Sequence, residues 1–240
     1  MPTRRATPVV YVLILANVLA FIWVRALIAA HVDTVPFLRS WALVPGRFMQ
    51  HPLEDAITVV THMFLHDPTT YLHLGGNMLF LWIFGDNVEE ALGSLRFLLF
   101  YLLCGVAAAF AQIVVNPGSP IMMLGASGAI SGVLAAYGSL YPRAAITVIN
   151  PVPLLWLFWG LFFDLPAWIV ILEYFVVNLF NALFSVDHRS GGVAFYAHLG
   201  GFVAGLFLVR LFMIGREATP YDRWSRFTGA NRRAQRRREW

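Results

Sequence analysis

Gly125-Ala126-Ser127-Gly128 and Tyr196-Ala197-His198-Leu199-Gly200-Gly201 set a hydroxyl and an imidazole among small residues, each at the head of an apolar run. A serine hydroxyl attacks a carbonyl only when a base within hydrogen-bond reach takes its proton, and histidine has the pKa suited to that task near neutrality. No carboxylate stands at comparable depth beside His198, so the expected arrangement is a Ser127/His198 dyad without an acid. The oxyanion formed on attack needs donors already in place. The Ser127 backbone N–H, at the positive end of its helix dipole, is one candidate. The Asn77 amide and His73 imidazole, four residues apart and so on one helical face, are the others. Gly128 and Gly132 follow the serine, and Gly201 and Gly205 follow the histidine. These two small-xxx-small seams let helices carrying the two groups approach closely.

Composition says what must position them. The chain has 240 residues, 59% hydrophobic and 12% charged, against a soluble norm of roughly 45–50% apolar and about 25% charged. The expected fold is an all-α, polytopic membrane bundle of six transmembrane helices. Lysine is absent, so the net charge of +4 rests on arginine, crowded toward the two ends. That distribution reports membrane topology rather than a nucleic-acid surface. The lone Cys104 excludes an intrachain disulfide and a thiolate metal cluster.

In chain order, residues 1–7 are a short basic tail, 8–215 the membrane domain and 216–240 a basic tail. The first span runs from about Pro8 to Ala30, too long for a cleaved signal's apolar region of about 7–15 residues. Residues 31–70, broken by Pro36, Pro45, Gly46, Pro52 and Pro68, form a mixed loop lying in the interface. Spans follow at about 72–92 and 95–115. Asp86, Glu89, Glu90 and Arg96 near their Gly93 turn read as a solvated, paired cytoplasmic corner. From Ser127 to Pro142 a helix reaches only ~24 Å at ~1.5 Å per residue, short of a ~30 Å hydrocarbon core. It must begin below the membrane surface, and residues 118–126 must then line a hydrated cavity. Residues 143–164, interrupted by Asn150-Pro151 and Pro153, read as a cytoplasmic interfacial connection. Spans at about 165–185 and 194–214 complete the set. The arginine-rich tail places both termini in the cytoplasm. The second, fourth and sixth helices then start at the outer face, and those starts carry His73/Asn77, Ser127 and His198 at one depth.

On these residues the chain resembles the rhomboid intramembrane serine proteases over roughly residues 41–210. The likeness is carried by Trp41-Ala42-Leu43-Val44-Pro45, Thr61-His62-Met63-Phe64-Leu65-His66, His73-Leu74-Gly75-Gly76-Asn77-Met78, Phe84-Gly85-Asp86-Asn87-Val88-Glu89, Gly125-Ala126-Ser127-Gly128, Leu165-Pro166-Ala167-Trp168 and Ala197-His198-Leu199-Gly200-Gly201-Phe202. The resemblance implies a six-helix core, a Ser127/His198 dyad, oxyanion help from His73 and Asn77, a membrane-inserted first loop, and a mobile fifth helix admitting transmembrane protein substrates from the bilayer. No cofactor is implied. Many relatives carry an aromatic four residues after the serine, packed on the histidine; this chain has Ser131 there, and Tyr196 or Phe195 is the candidate substitute. Glu173, near the middle of the fifth span, is a costly place for a carboxylate.

Other readings fit less well. His62 and His66 have the i, i+4 spacing of metal ligands, but the His-Glu-x-x-His arrangement is missing, and loop histidines facing water are the simpler reading. Gly85-Asp86 lacks the Gly-x-Gly-Asp context of an intramembrane aspartyl protease. A soluble nucleophile elbow needs a strand before the serine and Gly-x-Ser-x-Gly. A transporter would show an inverted repeat. The rival from another class is a catalytically silent relative that binds transmembrane clients, whose serine would be unreactive.

Overall fold

The computed structural model describes residues 6–149, 161–184 and 195–216. The Asn150-Pro151 and Pro153 breakers, the polar loop at 187–192 and the arginine tail beyond 216 lie outside the described residues.

The chain enters α1 (Pro8–Ala29) through Pro8 at the first helical turn, where a missing N–H costs nothing. Short helices α2 (Val35–Trp41), α3 (Pro45–Gln50) and α4 (Thr58–Thr61), the last extended by a 3-10 turn at His62–Phe64, fold the loop that follows α1. Next, α5 (Tyr71–Phe80), a π-turn at Leu81–Gly85 and α6 (Asp86–Leu92) form one continuous helical rod. Gly93 breaks it with φ 76°, a conformation side chains resist, and α7 (Ser94–Val115) follows. Then come α8 (Ser127–Leu140), the paired strands β1 (Ala145–Ile149) and β2 (Phe162–Pro166), α9 (Ala167–Phe184) and α10 (Phe195–Phe212).

Among the described residues α1, α7 and α10 are long and apolar enough to cross a membrane, and α8 and α9 are shorter apolar helices. The molecule is a multi-pass membrane protein with an all-α bundle. The connection between α8 and α9 carries an antiparallel two-stranded ribbon, with Ala145 opposite Pro166 and Ile149 opposite Phe162. A run dense in β-branched and aromatic residues between prolines favours that local structure over helix.

At the centre, α10 packs along α7 and α8. The core fills around Phe97, Phe100, Tyr101 and Cys104 of α7 and Ala129, Val133 and Tyr137 of α8. The seam between α8 and α10 is backbone against backbone: a Cβ added at Gly201 would overlap the Gly128 carbonyl, and one at Gly205 the Gly132 backbone. Gly128 and Gly132 also face Ala108 and Cys104 of α7, so three helices close on the same small residues.

The acidic corner is not solvated, contrary to the sequence reading. Asp86 and Glu89 are buried. Glu89 accepts hydrogen bonds from the Val9 and Val10 N–H groups at 3.0 and 2.7 Å and from the Ser94 hydroxyl at 2.7 Å. It thus caps the start of α1, satisfying amides that helix geometry leaves unpaired. Asp86 accepts from the Thr7 hydroxyl at 2.8 Å. Arg96 instead donates to the Phe212 and Ile214 carbonyls at 2.9 and 3.0 Å, capping the end of α10.

Candidate functional site

Gly125 sits at φ 126°, and a Cβ there would lie 3.0 Å from His73 Nε2. Both the backbone and the space therefore demand glycine at this position. The Gly125 N–H donates to the His62 carbonyl at 2.9 Å, tying the turn to the loop that follows α1. A two-way backbone bridge between Leu43 and Met123, with N···O distances of 3.2 and 2.7 Å, holds the same wall. After this fixed turn α8 starts at Ser127 with no side-chain cap, leaving its first-turn N–H groups available to a ligand. At 14 residues α8 spans ~21 Å at ~1.5 Å per residue. It therefore opens below the level at which a full-length span would.

Across the glycine seam, His198 Nε2 lies 2.8 Å from Ser127 Oγ. Its other nitrogen, Nδ1, lies 2.6 Å from Asn178 Oδ1 on α9. The Asn178 Nδ2 donates to the Tyr174 carbonyl at 2.8 Å, which fixes the amide with its oxygen toward the imidazole. Nδ1 must then carry the proton, leaving the Nε2 lone pair to accept from the serine hydroxyl. Among the described residues no carboxylate contacts His198; an amide occupies the third position.

The aromatic missing after the serine is supplied from elsewhere. Ser131 donates to the Ser127 carbonyl at 2.7 Å and receives the Tyr174 hydroxyl at 2.6 Å. Tyr174 lies alongside the His198 ring with centroids 6.3 Å apart and planes tilted 35°, while Phe195 meets the ring edge-on at 6.4 Å. Phe195 is one of the two substitutes named from sequence, and Tyr174 was not anticipated. Glu173, next to Tyr174 on α9, is exposed.

A cavity of about 1580 Å³ opens over these groups, lined by Ser127, His198, His73 and Asn77 together with Gln112 and Tyr174. Asn77 Nδ2 donates to the His73 carbonyl at 3.0 Å and to His66 Nε2 at 3.1 Å. Its two hydrogens are thus committed in the resting site. His73 has its Nε2 against Gly125, beside the head of α8. Phe80, Ile130 and Leu134 add apolar side chains to its lining.

His62 and His66 do not face water as read from sequence; both are 1% exposed. His62 Nδ1 bonds to the Thr58 carbonyl at 2.9 Å, and His66 stacks edge-on against His73 at 5.1 Å. Burial pushes His62 down to about 4. Burial, reinforced by the neighbouring His73, pushes His66 down to about 3. His62 Nδ1 and His66 Nε2 are both spent on protein partners in the wall of the site, and no group of three or more metal-ligating side chains forms among the described residues.

Asn178, Tyr174 and His66 are the site residues that sequence reasoning missed. The signal for Asn178 was present: a polar side chain inside a membrane span is functional by default. Nothing in the one-dimensional pattern said which face of α9 it occupied.

Comparison with known proteins places this architecture. The chain is 30% identical over 180 residues to "Rhomboid protein 1, mitochondrial" of Saccharomyces cerevisiae, covering 71% of this chain and 44% of that one. It is 48% identical over 64 residues to "Rhomboid protease GluP" of Bacillus subtilis, 27% of this chain and 12% of that one. It is 38% identical over 79 residues to the human "Presenilin-associated rhomboid-like protein, mitochondrial", 32% of this chain and 21% of that one. The chain spans less than half the length of each. The model of the rhomboid domain matches residues 53–214, from the middle of the loop that follows α1 to just past the end of α10 and so across both the serine and the histidine. The chain belongs to the rhomboid family.

Proposed function

We propose that the chain is an intramembrane serine endopeptidase that hydrolyses peptide bonds in or near the transmembrane segments of membrane proteins. The observation that carries this reading is the 2.8 Å contact between Ser127 Oγ and His198 Nε2 in the lining of the cavity. Ser127 Oγ attacks the scissile carbonyl while His198 Nε2 takes its proton. The imidazolium then gives that proton to the departing amine, leaving an acyl-serine. Water, deprotonated by the same nitrogen, attacks the acyl carbon, and the proton returns to Ser127 as the acid leaves. The oxyanion sits against the Ser127 N–H and the His73 imidazole, and Asn77 joins by exchanging one of its resting hydrogen bonds.

The reading extends to a six-span domain over residues 8–215, with α5, its π-turn and α6 as the second span and α8 and α9 as the fourth and fifth. The tails, 1–7 and 216–240, lie in the cytoplasm and the catalytic cavity opens to the outer face. Substrate helices enter from the bilayer beside α9, whose Trp168, Leu172, Val177 and Phe180 are exposed. No cofactor takes part in these steps. The test is labelling of the purified chain by a fluorophosphonate together with cleavage of a single-span substrate. Both activities should vanish in Ser127→Ala, and a parent chain that neither labels nor cleaves would favour the silent client binder.

A further inference from the structure

The helix that carries the nucleophile and the helix that carries the base are joined by glycines, yet the Nδ1 partner of the imidazole and the phenol ring alongside it come from a third helix. Asn178 and Tyr174, four residues apart on α9, present the amide oxygen to Nδ1 and the phenol ring to the face of His198. We infer that Asn178 is a positioning residue, holding His198 in the Nδ1–H tautomer and aiming Nε2 at Ser127, so that the base is competent only while α9 is seated. This rests on the reading of Ser127 and His198 as nucleophile and base.

The geometry leaves little alternative for the proton. Asn178 is buried, at 7% exposure. Its Nδ2 is spent on the Tyr174 carbonyl, so only an acceptor faces the ring, and a buried acceptor 2.6 Å from Nδ1 is satisfied by Nδ1–H alone. An imidazole protonated at Nε2 would face Oδ1 with a lone pair and Ser127 Oγ with a hydrogen, losing one bond and the direction of proton transfer together. Among the described residues, titratable groups that interact with the ring are His73 on α5 and Tyr174 itself. Tyr174 spends its hydroxyl proton on Ser131, whose own proton goes to the Ser127 carbonyl. Withdrawing α9 removes the amide and the Tyr174 ring in one movement.

The experiment uses the full chain in detergent, with Asn178→Leu, which keeps the volume and removes the acceptor, and Asn178→Asp, which keeps the acceptor. Three readouts are followed: the rate of Ser127 labelling by a fluorophosphonate, the split between kcat and KM on a single-span substrate, and the ring-nitrogen signals of 15N-labelled histidine assigned with His198→Gln. The expected result is labelling and kcat ~10–10²-fold lower in Asn178→Leu, the scale of a misaimed reacting group. KM should be unchanged, the His198 tautomer should shift away from Nδ1–H, and Asn178→Asp should recover most of the rate. If Asn178→Leu does not fold, Asn178→Ala carries the same three readouts. A folded variant with parental labelling and an unmoved tautomer overturns the inference. A parent chain that is never labelled would instead remove the nucleophile reading, while the tautomer signal still judges Asn178.

Discussion

At the scale of residues, the site divides into groups that act together and groups that hold them in place. Ser127→Ala and His198→Ala should each abolish cleavage, and the double variant should be no worse than either, because the pair works as one unit. Substantial turnover by either purified variant would contradict the mechanism. Asn77→Ala should lower kcat more than it raises KM, by up to the ~10²–10³-fold that loss of one oxyanion donor costs. The His73 imidazole and the Ser127 N–H moderate the loss, and an unaltered kcat would take Asn77 out of the reaction. The buried His62 and His66 bear on stability instead. Their ordinary value is 6.5, and burial holds them near 4 and 3 in the folded chain. The unfolded chain therefore binds more protons below pH 6.5, so the stability they carry is complete above that value and is lost as pH falls toward their folded values. The thermal midpoint in detergent should drop over that window, with a shallower slope in His62→Gln.

Elements matter here through how closely their backbones approach. A Cβ at Gly201 already meets the Gly128 carbonyl, so Gly201→Ala must part α8 from α10. A displacement of ~1 Å can cost ~10²-fold in rate. Activity should fall by about that factor with both reacting side chains intact, whereas Val203→Leu, on the exposed face of the same helix, should be mild. Comparing cleavage with thermal midpoint separates misalignment from unfolding, and a folded Gly201→Ala at parental turnover would refute the seam as the positioning device. At the opposite end of the bundle, Glu89 binds α1 to the start of α7 through two backbone amides and Ser94. Glu89→Leu leaves those donors buried without a partner, each costing about 1–3 kcal/mol. It should lower the thermal midpoint well beyond Glu90→Leu, since Glu90 is only partly buried.

For the whole molecule, orientation decides which compartment's substrates reach the cavity. In the proposed topology the arginine-rich tails lie in the cytoplasm, and the 31–70 loop, stitched to the 118–126 segment through the Leu43 bridge to Met123 and the Gly46 N–H to Ser119 carbonyl bond, roofs the site from the other side. In a Cys104→Ala background, Ala230→Cys should resist membrane-impermeant thiol reagents in intact cells and react after lysis. Leu53→Cys, on the exposed surface of the 31–70 loop, should react in both. Labelling of position 230 in intact cells would reverse the topology.

Sequence by itself determined the membrane class, the helix heads and the serine and histidine that meet there, because hydrophobic length, proline and glycine breakers and the depth of a helix start are all written along one dimension. The span from Ser127 to before Pro142 is the clearest instance, ending at Leu140. The corner at Asp86 and Glu89 was misread because charge beside a turn usually means water, and only the folded chain brings the uncapped start of α1 to those carboxylates. His62 and His66 were misread for the same reason: local polarity cannot reveal that a loop is buried beneath others. The third partner of the imidazole was decided by tertiary structure alone, since whether Asn178 meets lipid or His198 depends on the rotation of α9 about its own axis. A helix apolar on nearly every side carries no strong stripe to set that rotation, so packing against α8 and α10 sets it instead.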